Sequence, residues 1–481
     1  MTEKNKIKWV YGIVFAFIAI NTVLIANEFY WAATIPVAII VLLIYIFSLD
    51  KLILLITFLT PLAINVKDIY MGYSISLPTE PLMFGVLVIF IFKLFYDNKL
   101  DYKVLKHPIS ISIFLYLFWM FITSITSQLP IVSFKFIISR LWFIVPFYFI
   151  GTQIFKDKKN IRKFFWLYTL PLLIVIGYTI INHSKYGFLE EPAHWVMTPF
   201  YNDHTAYGAA ISLFIPIFFG LSFDKHYNKN LRIISFIVFS ILIVAIILSF
   251  SRAAWISLIF AFIVYLFIVF KIKFRWILTT IIIITAIFFS FKFEILDKLE
   301  KNKQDSSTNF IEHIESISNI SSDASNLERI NRWQSAIRMF KEKPFLGWGP
   351  GTYQFEYAPF QQSKEKTIIS TNAGNKGNAH SEYLGPLAEE GFIGMLAVFA
   401  IIICTIYTAL RIIIETKNKE IKLLTLIVIL SLITYYSHGF LNNFLDTDKA
   451  SVPFWGLTAI IVAIDIYHHK KISETNIEVT D

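Results

Sequence analysis

His380 stands where a long polar segment gives way to an apolar run that continues to about Leu410. An imidazole titrates near neutral pH and can take a proton from a hydroxyl, so this residue offers general-base chemistry. The plainer reading is an ordinary histidine at a helix end. Glu389 and Glu390 follow inside the apolar run, where carboxylates need a partner or a water-filled cavity. Arg140, in Ile138-Ser-Arg-Leu-Trp142, lies inside another apolar run. It faces a cavity or forms a structural ion pair, with Glu389 or Glu390 as one candidate partner. Arg252 opens a further run in Phe250-Ser-Arg-Ala-Ala-Trp255, and its planar fork of donors suits phosphate oxygens. A snorkelling interfacial arginine is the alternative. Arg329 and Arg332 are three residues apart and share a helix face. They are either a binding pair or part of a solvated basic stripe with Arg338, Lys341 and Lys343.

Two more polar clusters, Asn202-Asp203-His204 and the segment His438 to Asp446 with Asn442 and Asn443, could bind sugar hydroxyls or be plain loop. Glu190 and Glu191 are adjacent and point different ways, a weak basis for glycoside hydrolysis. No cluster has metal-ligand spacing, and no glycine-rich loop of the P-loop type occurs, which argues against ATP-driven transport by this chain alone.

The elements that must hold these groups are set by the solvent. Hydrophobic residues make up 56% of the 481-residue chain and charged residues 16%, against about 25% charged in soluble domains. With a mean hydropathy of +0.61 and long unalternating apolar runs, the chain reads as helices in a bilayer. The first run, about Val10 to Ala26, has no small-residue cleavage site and reads as a retained signal anchor. Cys404, the one cysteine, lies in an apolar run, so no intrachain disulfide forms.

The expected architecture is an all-α polytopic membrane protein with about 14 spanning helices. They fall near 9–27, 31–49, 51–66, 81–96, 109–127, 132–155, 161–182, 206–222, 232–249, 253–270, 275–292, 382–410, 420–437 and 451–468. Lysine and arginine crowd alternate loops, for example Lys99 to Lys106, Lys156 to Lys163 and Lys271 to Arg275, as well as both termini. That alternation places both termini in the cytoplasm and makes the net charge of +9 a topology signal rather than a nucleic-acid footprint. The organisation that follows is a bundle over 1–292, one large external loop over 293–380, further spans over 381–468 and a cytoplasmic tail over 469–481. Within the loop, Ser325-Asn-Leu-Glu328 reads as a capping box, and Ile330, Trp333, Ile337 and Phe340 form the apolar stripe of an amphipathic helix near 326–342. Pro344 ends that helix, and Gly347-Trp-Gly-Pro-Gly351 reads as a tight turn.

Three motifs in this order resemble the bacterial O-antigen ligase and O-antigen polymerase superfamily. They are Ser251-Arg252 opening a helix, Glu328-Arg-x-x-x-Trp333 leading to Pro344-x-x-Gly-x-Gly-x-Gly351, and His380-Ser381 followed after nine residues by Gly391 and Gly394. The close match covers about 250–400. The resemblance implies a metal-independent inverting glycosyltransferase, with no cofactor, in the cytoplasmic (inner) membrane with its site on the external or periplasmic face. Its donor would be a glycan on undecaprenyl pyrophosphate and its acceptor a glycan, lipid or protein hydroxyl. Arg252 and Arg329 would hold the pyrophosphate and His380 would activate the acceptor. Arg332, Arg140, Glu389, Asn202 and His204 are the further candidate substrate contacts. The motifs do not separate ligase from polymerase. The alternative is a transporter or flippase of lipid-linked glycan, which would place charges through the bundle rather than at one face.

Overall fold

A computed structural model gives the fold, describing residues 3–30, scattered positions within 34–45, 48–66, 75–97, 101–272, 275, 279, 324–366, 370 and 377–469. The chain divides into two compact units, Met1–Ile53 and Leu54–Asp481. The first contains helix α1 (Glu3–Ala26), and all the candidate site residues belong to the second.

The protein is an all-α polytopic membrane protein. Nine described helices are long and apolar enough to cross a bilayer. In the second unit, α2 (Thr79–Asp97) precedes α3 (Pro108–Ile125), α4 (Pro130–Ile154), α5 (Lys158–Ser184), α6 (His204–Phe223), α7 (Lys229–Leu248) and α8 (Arg252–Val269). After the described part of the polar loop come α10 (Leu384–Glu415), α11 (Lys419–His438) and α12 (Asp448–His468). Of the fourteen expected spans, 275–292 lies almost wholly outside the described residues and 31–49 is described only in part. The run expected to span at 51–66 does not continue as one helix. Leu49–Leu59 is helical, Pro61 sits in a short turn, and Ile64–Val66 (β1) pairs antiparallel with Ile75–Leu77 (β2). Eleven helical residues fall short of the roughly 20 needed to cross.

Close helix packing depends on small residues, as expected where lipid supplies no hydrophobic drive between helices. A β-carbon at Gly208 of α6 would stand 2.8 Å from Ser251, and one at Gly220 would stand 2.2 Å from Ile427. The first contact draws the start of α8 against the start of α6, and the second seats α11 on α6. Asp203 caps α6 by accepting from the amides of Thr205 and Ala206, which fixes where His204 leaves the bundle.

The loop helix α9 (Ala324–Glu342) starts at the edge of the described residues, and the expected cap at Ser325 lies outside the described side chains. Its packed face also differs from the apolar stripe. Ile330, Trp333, Ile337 and Phe340 are half-buried, while Glu328, Asn331, Arg332, Ser335, Ala336 and Met339 are buried. Ala336 and Met339 join Tyr353, Tyr357, Ala379 and Ala388 in a compact apolar cluster. The buried polar groups satisfy one another: Arg332 Nε donates to Glu328 at 2.6 Å, and Asn331 Nδ2 donates to Gln361 at 2.9 Å. Mutual pairing lets a polar face go inward where hydropathy alone points elsewhere.

Candidate active site

His380 is placed by the two elements on either side of it. Asn378 Oδ1 accepts from the His380 amide, and Trp333 Nε1 of α9 donates to the His380 carbonyl at 3.3 Å. His380 itself has φ +48, a left-handed conformation that non-glycine residues seldom adopt. Immediately after it, Glu382 ties the segment to the turn between α11 and α12. One oxygen of Glu382 accepts from Tyr435 Oη and from the amides of Phe444 and Leu445, at 2.7, 2.7 and 2.9 Å. Burial pushes the Glu382 carboxyl up even so. Nothing in the local sequence singled out Glu382; its three donors come from residues far along the chain.

The Glu-Arg-x-x-Arg-Trp stretch divides its labour. Burial alone would raise the Glu328 carboxyl, but hydrogen bonds from Ser370, Arg332 and Asn331 outweigh it and hold it below the usual range. Arg332 is buried, paired with Glu328, and its guanidinium lies 4.0 Å over the Tyr357 ring. It presses so closely on the backbone at Gly377 that no β-carbon fits there. Arg332 therefore braces the segment leading to His380. Arg329, on the same helix, exerts its charge on His204 and His438 and, together with Arg332, on His380.

Three histidines thus lie within reach of the Arg329 charge. The His204 ring lies against the Ser249 backbone and 4.2 Å from the His194 ring, and the His438 ring lies against the backbone at Ala253, next to Arg252. Arg329, His204, His380 and His438 thus lie near one another, with His194 and the start of α8 beside them. Asn202 is exposed. The His380 ring is held down to about 4, first by burial and then by the Arg329 and Arg332 charges. At neutral pH it is an unprotonated imidazole able to accept a proton.

Arg140 and Glu389 lie elsewhere. The expected partnership between them is not formed, because Arg140 binds Asp446 and the Leu445 carbonyl. Both carboxylate oxygens of Glu389 accept backbone amides, from Tyr353 at 2.8 Å and Gly351 at 2.9 Å. That clamp joins the glycine-rich turn to α10. Gly391, at φ +72, breaks the helix there. The three carbonyls before the break take donors from outside the helix: Trp348 N to Ala388, Gly349 N to Glu389, and Trp119 Nε1 to Glu390. In exchange, the Phe392 amide donates to Pro344. The Pro344–Gly351 and His380–Gly394 motifs are therefore one mechanical unit.

A β-carbon at Gly391 would stand 2.2 Å from the Phe345 carbonyl oxygen. Gly391→Ala is therefore expected to cost about 2 kcal/mol from backbone strain alone, before the clash is counted. The melting temperature in detergent should drop by several degrees. The control is Gly177→Ala, at a helical site where a methyl meets nothing within 4 Å. Equal melting of the two variants would refute the clamp.

Residues 237–399 match a family model described as O-antigen ligase. That match over about a third of the chain supports the resemblance to the O-antigen ligase and polymerase superfamily. An uncharacterised protein of Haemophilus influenzae is 25% identical over 336 residues, covering 66% of this chain and 76% of the relative. The match supports glycan transfer of the O-antigen ligase or polymerase type in surface polysaccharide biosynthesis. Ser251, Arg252, Arg329, Arg332 and His380 all fall within the matched segment, whereas Arg140, Asn202 and His204 precede it.

Proposed function

We propose that the protein transfers a glycan from undecaprenyl pyrophosphate to an acceptor hydroxyl on the external face of the cytoplasmic membrane. The observation that carries this reading is the charge of Arg329 reaching both His380 and His438, whose ring lies against Ala253 at the start of the Arg252 helix. His380 takes the proton of the acceptor hydroxyl as its oxygen forms a bond to the anomeric carbon. The bond from that carbon to the pyrophosphate oxygen breaks, and its electron pair leaves with the pyrophosphate. Arg252, Arg329 and the amide end of α8 stabilise the charge that develops there, a role that a divalent cation plays in other transferases. One displacement of this kind inverts the anomeric configuration. The arginines serve binding and departure together, so the donor is held by the group it loses.

Deletion of the gene followed by gel analysis of the surface glycan tests the reading and resolves its two forms. A lost ladder with a single repeat unit remaining identifies a polymerase. Full-length polymer retained on the lipid carrier identifies a ligase. Loss of the surface glycan with lipid-linked repeat units trapped on the cytoplasmic leaflet would overturn transfer in favour of transport.

A further inference from the structure

A cavity of about 390 Å³ adjoins the His380 segment. Asn378, Ser381 and Glu382 line it, but the His380 ring does not. The segment therefore has a basic cluster at its histidine and a separate recess along its other residues. Four carboxyl groups border the recess, from Glu382, Glu389, Glu390 and Asp446. The one guanidinium on its wall is Arg140, which Asp446 already engages. Among the described residues lining the recess, no unpaired cation is offered to an anion.

Two residues lining the recess also carry buried polar atoms without a hydrogen-bond partner. Glu390 is 1% exposed, and its Oε2 has no hydrogen-bond partner among the described residues. Asn443 Oδ1 is in the same position. By contrast, Glu389 and one oxygen of Glu382 are satisfied by backbone amides, so they shape the wall without asking for a ligand. A buried acceptor left unmade costs about 1–3 kcal/mol, so a ligand bringing hydroxyl donors gains by filling the recess. Phe136 and Trp455 supply flat apolar surface for the carbon–hydrogen face of a sugar ring. The volume lies within the ordinary range for small-ligand sites, roughly 300–1,000 Å³.

We propose that this cavity is a subsite for a neutral, hydroxyl-bearing sugar of the acceptor, separate from the sugar whose hydroxyl reacts at His380. The proposal rests on the glycan-transfer reading. It divides substrate recognition by charge: the arginine cluster takes the pyrophosphate, and the acidic recess takes an uncharged part of the acceptor. Glu390 and Asn443 position the acceptor and do not enter the chemistry.

The test uses the full-length protein in lipid nanodiscs and saturation-transfer NMR. The probe is the repeat-unit oligosaccharide released by mild acid from the producing strain's own surface polysaccharide, with trigalacturonic acid as the anionic comparison. Wild type should give a saturable signal that trigalacturonic acid does not compete away. Asn443→Leu should weaken binding at least 10-fold, and the near-isosteric Glu390→Gln should weaken it measurably while eluting as a folded protein. Arg252→Ala should bind the oligosaccharide as wild type does. In turnover, the acceptor KM of Glu390→Gln should rise with kcat unchanged. Wild-type affinity in Glu390→Gln, effective competition by trigalacturonic acid, or no signal from folded wild type would each overturn the subsite. Undecaprenyl pyrophosphate binding is measured separately. If Arg252→Ala still binds it normally, the transfer reading fails while the subsite stands.

Discussion

Arg252→Ala and Arg329→Ala are each expected to lower glycan transfer about 10³-fold or more, with the protein still inserted and folded. Removing a single preorganised donor to a developing oxyanion costs about 10²–10³ in rate, and an arginine on a departing phosphoryl group can be worth more. The two residues differ in what else they do. Arg252 begins α8, so its loss leaves the helix and the Gly208–Ser251 contact intact. Arg329 shares its helix with the Arg332 brace, which remains paired to Glu328 in the variant. Both losses should therefore appear in turnover and not in melting temperature. Lysine at position 252 should recover only part of the rate, since an ammonium carries the charge without the two-pronged geometry. The measurement is transfer in reconstituted vesicles from a lipid-linked donor. An alanine variant that keeps a tenth of wild-type activity would remove that arginine from the site.

The second large effect is expected at His380. His380→Ala should reduce transfer by about 10²–10⁴, the usual contribution of a positioned general base. Its signature is the pH profile. The ring is held at about 4, so kcat/KM should be level through neutral pH and fall only in acid, as the free enzyme's imidazole becomes protonated. Burial and the positive charges of Arg329 and Arg332 cause that depression, so Arg329→Ala should move the acid limb upward toward the ordinary histidine value near 6.5. Stability carries the same sign. The unfolded chain takes up a proton as pH drops through 6.5, while the native ring resists until about 4, so the folded state loses ground across that window. An acid limb unmoved by Arg329→Ala would mean that the titrating group is not His380.

Part of this was legible in the residues themselves. The bilayer-spanning helices follow from uninterrupted apolar runs, and the types and motifs of His380, Arg252 and Arg329 mark them as candidates. Other features depend on partners that no local pattern reveals. Arg140 finds Asp446 more than 300 positions away. The loop helix turns a polar face inward because Glu328, Asn331 and Arg332 satisfy one another, which a hydrophobic stripe cannot anticipate. Glu389 looked like a carboxylate awaiting substrate, and its geometry makes it the receiver of two backbone amides. Glu382 and His194 gave no local sign of their places; His438 appeared only as one member of a polar segment.

The broken helix at Gly391 has a consequence for how this protein can be recombined with its relatives. The Trp119 indole on α3, the Trp348 and Gly349 amides, and the three carbonyls they reach form a closed set drawn from three separate stretches of chain. An unbroken helix at this point would strand those donors, and a tyrosine or phenylalanine in place of Trp119 would strand a carbonyl at the break. Such positions are expected to be inherited together. A chimaera that imports the polar loop of another member should work only when it also takes that member's counterparts of α3 and the start of α10.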